Sequence, residues 1–205
     1  MNGVTLPEQR EFLRELLHLR FPNTVKLVLD TRGSGEALPS LFYESWEYVD
    51  PKTGRAIEFP PIIRDDDDLN KKLDGAMPII RCITATNEFN VKFYPYLKMC
   101  LQDRSIEILA PSDEVDSEWK EGAMSTEEYA LHKEHDVLIS ELNNIKERMS
   151  EHNNILYERI VKSKKRDRAT SLVYGLSVIQ ELEVEGKESV YGRKSSDYEF
   201  KCLFN

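Results

Sequence analysis

The chain has 205 residues, of which 40% are hydrophobic and 32% are charged, and its net charge is −9. This length and composition favour one water-soluble domain, and no apolar run approaches the ~20 residues of a membrane-spanning helix. The first residues lack the basic and apolar regions of a signal peptide, so we expect a cytosolic protein without membrane partners. Cys82, Cys100 and Cys202 are odd in number and far apart, which supports neither a disulfide framework nor a zinc ribbon.

The first part of the chain predicts a helix, a strand, a turn and a second helix. Thr5 and Glu8 form a capping box before an apolar helical face that ends near the sequence RFPN. The segment VKLVLD then predicts a strand that ends at Asp30, followed by a glycine-containing turn and a short helix. This order is typical of an α/β layer fold.

The middle of the chain predicts more strands and a helix. Two strand-like pieces flank the turn DPKTG and indicate a hairpin or an ordered loop, and the acidic sequence after Arg64 is typical of a surface loop. PIIRCITAT predicts a buried strand, NEFNVKFYPYLKMCLQD a helix despite Pro95, and SIEILA a further short strand.

The last part of the chain predicts two helices around a strand. Ser125 and Glu128 form a second capping box, which opens a helix expected to continue to about Met149. ILYERIV predicts a strand, and a last helix begins at Asp167. We expect one domain over residues 1–185 and a polar, irregular tail over residues 186–205.

Asp30 is the first candidate site residue. Ligands of α/β sheets bind outside the carboxyl ends of the strands, and the nearby Gly33 and Gly35 would allow close backbone approach. The alternative is an acid that only caps the following turn. Gly33 to Gly35 are not a phosphate-binding loop, because neither GxGxxG nor GxxxxGK[ST] is present.

Asp167 is the second candidate, and it stands among five basic residues. We call these five the basic segment: Lys162, Lys164, Lys165, Arg166 and Arg168. The cations should keep Asp167 ionised and able to bind a hard cation while they contact phosphates. The alternative is a carboxylate that only caps the last helix.

Three weaker candidates have plainer alternatives. Asp65 to Asp68 could contribute to a metal site, but acidic runs are usually solvated loops. Glu128, His132 and His135 share one helical face and could bind zinc, but without a closing ligand pattern an exposed helix surface is the more common explanation. An aromatic group could stack on bases, although packing within the helix is the more common use; its members are Phe89, Phe93, Tyr94 and Tyr96.

Three segments, in this order, resemble the nuclease domain of phage terminase large subunits. They are VKLVLDTRGSGEALPSL, PIIRCITATNEFNVKFYPYLKMCLQDRSIEIL and KKRDRATSLVYGL. The order and spacing agree with that family from about residue 5 to residue 183.

The resemblance implies an RNase H-like mixed sheet flanked by helices and an endonuclease that cuts concatemeric double-stranded DNA during genome packaging. Asp30 and Asp167 would be two of the carboxylates that hold Mg²⁺ or Mn²⁺, with two ions per site. The implied partners are double-stranded DNA, the terminase ATPase domain or chain, the small terminase subunit and the portal protein, in the host cell cytoplasm.

The chain departs from the family pattern in two ways. The strand that carries the family's first catalytic aspartate precedes the helix found here at Thr5, so we expect the sheet to be incomplete at its N-terminal edge. The ATPase motif GxxxxGK[ST] is also missing. A non-catalytic module that keeps the fold and binds DNA or the motor is therefore the main alternative, and an ordinary α/β domain is a third.

Overall fold

The computed structural model describes residues 4–31, 37–67, 73 and 75–192. The chain forms two compact units, Met1–Thr86 and Asn87–Asn205. Each unit has a hydrophobic cluster of its own. The presence of both helices and strands confirms the α/β class.

The first unit combines helices with a small parallel sheet and a hairpin. Its elements are α1 (Leu6–Glu15), a π-helical turn (Leu16–Arg20), β1 (Leu27–Asp30), α2 (Ala37–Ser40), β2 (Trp46–Val49), β3 (Ala56–Phe59), β4 (Ile62–Arg64) and β5 (Met77–Ile83). α1 begins at the predicted capping box, in which the Thr5 amide donates to Glu8 Oε2 at 2.7 Å. This satisfies one of the free amide groups at the start of the helix.

The parallel sheet has the strand order β1-β5-β4. Leu27 lies opposite Ile80 and Asp30 lies opposite Ile83, so β1 and β5 end at the same edge. Ile80 and Ile62 are almost fully buried and pack in one cluster with Phe42. The burial of these apolar side chains stabilises the sheet.

The predicted hairpin is confirmed. β2 and β3 pair antiparallel, and the Asp50 carboxylate accepts hydrogen bonds from the Lys52 amide and the Thr53 hydroxyl in the turn between them. Gly54 closes the turn with a φ of 67°, a conformation in which glycine has no steric penalty.

In its described residues, the second unit contains four helices and a second hairpin. Its elements are α3 (Asn87–Gln102), α4 (Asp116–Lys120), α5 (Thr126–Leu142), β6 (Ile145–Met149), β7 (Ile155–Arg159) and α6 (Asp167–Gly192). Phe93 and Leu97 of α3 pack with Val173 and Leu176 of α6. These buried positions fall at helical spacing, as the sequence pattern predicted.

The predicted helix end at Met149 was wrong. α5 begins at its capping box but ends at Leu142, and Ile145–Met149 forms β6 instead. β6 pairs antiparallel with β7, so strand pairing has overridden the local helical preference of this sequence.

Two further predictions failed at the level of single elements. Residues 105–110 form no strand in the described structure, because the Asp103 carboxylate holds Ser105 in a turn and Ile108 and Leu109 remain exposed. α6 also continues to Gly192, beyond the predicted start of an irregular tail, while residues 193–205 lie outside the described residues.

The strands of the described residues form three small sheets, one parallel and two antiparallel. The single mixed sheet of an RNase H-like fold therefore stays a prediction. Within the same part of the chain, every helix is too short or too polar to cross a membrane.

Candidate functional site

Asp30 is the last residue of β1, at the predicted carboxyl end of a parallel strand, and its side chain is exposed. Beyond it, the Thr31 amide donates to the Ile83 carbonyl at 3.0 Å, and the Thr31 and Thr84 hydroxyl oxygens lie 2.6 Å apart. These bonds fix the backbone on both sides of the strand end. The glycine turn predicted after it, residues 32–36, lies outside the described residues.

Asp167 is the first residue of α6 and is also exposed. Its backbone carbonyl accepts the Ser171 hydroxyl at 2.9 Å. The free amides of this helix start are bound by a different acid. Glu141 Oε2, from α5, accepts the Arg168 amide at 2.8 Å and the Ala169 amide at 3.1 Å. Glu141 therefore performs the capping role that the sequence offered as the alternative for Asp167.

Arg168 differs from the rest of the basic segment. Its guanidinium forms an ion pair with Glu134 and a second one, at 3.4 Å, with Glu141. These contacts, the Glu134 hydrogen bonds above all, raise the pKa of Arg168. Because two glutamates compensate its charge, Arg168 should attract a phosphate less strongly than an unpaired arginine would.

The other four basic residues lie in the connection between β7 and α6. We call this connection the basic loop, residues 162–166. Lys162, Lys164 and Lys165 are exposed, and Arg166 is half-buried. The Arg159 guanidinium donates to the Lys164 carbonyl at 2.8 Å, which ties the loop to the end of β7.

Asn144 fixes the start of the basic loop. Its buried side chain accepts the Val161 amide at 2.8 Å through Oδ1 and donates to the Val161 carbonyl at 3.1 Å through Nδ2. Its own carbonyl accepts the Ile160 amide at 2.7 Å. Because these bonds satisfy both backbone groups of Val161, the loop leaves the hairpin in a defined direction.

Carboxylates of the acidic run after Arg64 form ion pairs with basic side chains of the protein. Asp65 is largely buried and forms ion pairs with Lys26 at 2.7 Å and with Arg81 at 2.6 Å. Asp66 pairs with Arg64, which lowers the pKa of its carboxyl. These contacts give Asp65 and Asp66 structural roles, and Asp68 lies outside the described residues.

The possible zinc ligands of α5 have three different surroundings. Glu128 belongs to the capping box, and its hydrogen bonds with Ser125 lower its pKa. The His132 ring nitrogen Nδ1 lies 2.7 Å from the Ala110 carbonyl. His135 is buried, and neither ring nitrogen has a hydrogen-bond partner among the described residues. Of the residues the structure describes, no three His, Cys, Asp or Glu side chains form a group able to hold a metal.

The aromatic residues of α3 serve packing. Phe93 and Tyr94 are buried, Tyr94 stacks on Tyr157 with ring centroids 4.9 Å apart, and Phe89 lies edge-on to Tyr174. The packing interpretation is confirmed for these residues.

Sequence reasoning missed Glu141 and Asn144. Both are polar residues near the end of a predicted helix, where exposed positions are common, and their partners lie at least 17 residues away. Two adjacent asparagines, at 143 and 144, were the available signal that the helix ended early.

Comparisons of the chain with protein-family models, with curated proteins and with solved structures found no match. The resemblance to terminase nucleases thus rests on the three sequence segments. Asp30 belongs to the first unit and Asp167 to the second, so the meeting of these two carboxylates stays a prediction.

Proposed function

We propose that the chain is a metal-dependent endonuclease domain that acts on double-stranded DNA, as its resemblance to terminase nucleases implies. The observation that carries the proposal is the position of Asp30. It is an exposed carboxylate at the carboxyl end of a strand in a parallel sheet, where α/β proteins place their ligand sites. By the family resemblance, Asp167, at the start of α6 directly after the basic loop, would be the second carboxylate.

The donor chemistry of these residues fits Mg²⁺ or Mn²⁺. Both side chains are exposed carboxylates, and hard divalent cations take oxygen ligands and retain several waters when protein ligands are few. Bound ions of this kind activate a water molecule and stabilise the leaving oxygen of a phosphodiester. As the family resemblance implies, Asp30 and Asp167 would hold these ions.

DNA binding belongs to the basic loop in this proposal. Lys162, Lys164 and Lys165 expose their charges on a backbone that Asn144 and Arg159 hold in place. Contacts with phosphates position a duplex without reading its sequence. Packaging partners, namely the ATPase domain or chain, the small subunit and the portal, follow from the family resemblance alone.

The sheet supports the expectation of an incomplete site. Within the described residues β1 lies at the edge of its sheet, the position at which a further strand can pair. A strand that pairs there, in the same chain or in a partner, would extend the sheet beside Asp30. We therefore expect weak cutting by the 205-residue chain alone.

A second function, DNA binding without catalysis, is favoured by the construction of the basic loop. The loop is fixed by Asn144 and Arg159, and none of these contacts involves Asp30 or Asp167. It can therefore bind phosphates whether or not metal ions are present.

Metal binding and plasmid cutting test the two functions together. We expect Mn²⁺ to broaden the NMR signals of Asp30 and Asp167 before those of the exposed Asp113, and weak nicking of supercoiled plasmid to disappear in Asp30→Asn and Asp167→Asn. Asp113→Asn is the matched control and should behave as the wild type. Nicking that survives Asp30→Asn would show that the carboxylate set is wrong. DNA binding without Mn²⁺ broadening at either aspartate would select the non-catalytic function.

A further inference from the structure

A groove lies beside the basic loop, between that loop and the C-terminal half of α5. It has a volume of about 480 Å³, within the range of about 300–1,000 Å³ typical of small-molecule sites. Its lining includes two kinds of side chain, aliphatic and polar: Ile139, Ile160, Val161, Ser140, Asn143 and Lys164.

The polar part of the groove centres on Lys164. Its ammonium lies 3.3 Å from the Ser140 hydroxyl, which accepts one of the three N–H donors and leaves two for a ligand. Asn143 adds an exposed amide next to Ser140 along the groove wall. These groups match the oxygens of a phosphate, which accept several hydrogen bonds at once.

The charge of the groove favours an anion. The lining contains one cation, Lys164, and one acid, Asp136, whose carboxylate already accepts the amide and the hydroxyl of Ser112. The other cations of the basic loop lie outside the lining but next to Lys164 in the chain.

The apolar part of the groove indicates that its ligand has an apolar surface as well as a phosphate. Ile160 and Val161 are large aliphatic side chains that are 56% and 44% exposed, and they form a hydrophobic wall next to the polar groups. Paired bases of a duplex are stacked inside it and cannot reach such a wall. An unpaired nucleotide can place its base against apolar side chains while its phosphate contacts a cation.

The groove is also built to keep its shape. Asn144 lies in its lining and holds both backbone groups of Val161, which ties the aliphatic wall to the end of α5. A preformed site loses less conformational entropy when it binds a ligand.

We propose that this groove binds a phosphate-bearing nucleotide at an unpaired end of a DNA strand. The Lys164 ammonium, with Ser140 and Asn143, contacts the phosphate, and Ile160 and Val161 contact the base. The inference deepens the proposed DNA-cutting function, since a nuclease generates strand ends, but the groove can bind a nucleotide whether or not the chain cuts DNA.

The test uses thymidine monophosphate followed by NMR, and a short single strand with or without a 5′-phosphate followed by fluorescence anisotropy. We expect the nucleotide to shift the amide signals of Ser140, Asn143 and Val161, and the 5′-phosphate to strengthen strand binding. Lys164→Met keeps the alkyl chain but removes the charge, and should weaken both ligands about tenfold, as expected for one charge-assisted hydrogen bond. Lys98→Met, at an exposed lysine of α3 outside the lining and outside the basic loop, is the matched control.

Three results would overturn the inference. One is an absence of shifts at the groove, and another is an equal loss of binding in Lys164→Met and Lys98→Met. The third is a loss of stability in Lys164→Met with unchanged nucleotide binding, which would mean that Lys164 only neutralises the negative end of α5. Duplex binding that depends on the basic loop, without nucleotide shifts in the groove, leaves the proposed function standing. Nucleotide shifts without duplex binding reject that function and retain the groove.

Discussion

Arg168 and the basic loop just before it have different surroundings although they are neighbours in the chain. The lysines of the loop are exposed, whereas the Arg168 guanidinium is held by Glu134 and Glu141. Asp65, like Arg168, is held by protein partners, because it is buried between Lys26 and Arg81. The surroundings of each charge decide whether it is available to a ligand.

His18 makes the stability of the first unit depend on pH. Its ring stacks on Phe59 at 4.2 Å, and burial, with a smaller effect from Arg14, lowers its pKa below the ordinary value of 6.5. As the pH falls through 6.5, the unfolded chain therefore takes up the proton before the folded one. We predict that the free energy of unfolding decreases below about pH 6.5, by at most ~1.4 kcal/mol per pH unit for one proton.

Urea unfolding over a series of pH values measures this effect. His18→Phe keeps a ring in the stack but cannot take up a proton, so its acid-side decrease should be smaller than that of the wild type. The exposed His152 provides the control variant, His152→Asn, which should show the same acid-side decrease in the free energy of unfolding as the wild type. Identical pH profiles of the wild type and His18→Phe would contradict the assignment.

At the level of elements, residues at the end of α5 hold the start of α6 and the start of the basic loop. Glu141 caps the first amides of α6, and Asn144, just beyond the end of α5, holds the start of the basic loop. The position of Asp167 and the course of the basic loop thus depend on the last turn of α5. The basic loop and the groove proposed to bind a nucleotide both lie next to the end of α5.

Removal of the Glu141 carboxylate should destabilise the start of α6. Its side chain is only 6% exposed, and it satisfies two helix amides as well as one ion pair. We predict that Glu141→Ala lowers the free energy of unfolding by about 2 kcal/mol and accelerates hydrogen exchange at the Arg168 and Ala169 amides. Glu141→Gln, which keeps an acceptor oxygen, should lose less.

Glu134 supplies the control for this prediction, because it contacts the same arginine but its side chain is 63% exposed. Glu134→Gln should change the free energy of unfolding by less than ~1 kcal/mol, as is usual for surface ion pairs. Chemical denaturation and exchange measured on all three variants decide the matter. Equal effects of Glu134→Gln and Glu141→Ala would argue against a capping role.

On the scale of the whole molecule, an acidic chain is proposed to bind a polyanion. The net charge of −9 repels DNA at long range, so binding must come from a local concentration of cations. The basic loop is such a concentration, and many acids elsewhere are engaged with protein partners, as Asp65 and Glu141 are.

The salt dependence of DNA binding tests this distribution of charge. In the triple alanine variant of Lys164, Lys165 and Arg166, the slope of log affinity against log salt should flatten by about 0.9 for each phosphate that the variant no longer neutralises. Binding should weaken alike for unrelated duplex sequences, because phosphates carry no sequence information.

A control variant removes the same number of charges elsewhere: Lys52, Arg55 and Lys98, all exposed, are replaced by alanine. It should retain nearly the slope of the wild type. If both triple variants bind as the wild type does at every salt concentration, the basic loop does not bind DNA.

The sequence by itself determined the features that depend on neighbouring residues. Both capping boxes, the DPKTG turn, the end of β1 at Asp30 and the start of α6 at Asp167 follow from interactions within a few positions. Local hydrogen bonds and side-chain periodicity suffice for such features, since the residues concerned are held close by the chain itself.

Only the tertiary structure decided the features that join distant parts of the chain. β6 replaced the end of a predicted helix because β7 pairs with it, and SIEILA formed no strand in the described residues, where Ile108 and Leu109 are exposed. Glu141 became the cap of α6 across 27 residues, and Asn144 reached Val161 across 17. The energy of such interactions depends on burial and geometry that arise only when the elements pack together, so no local pattern contains them.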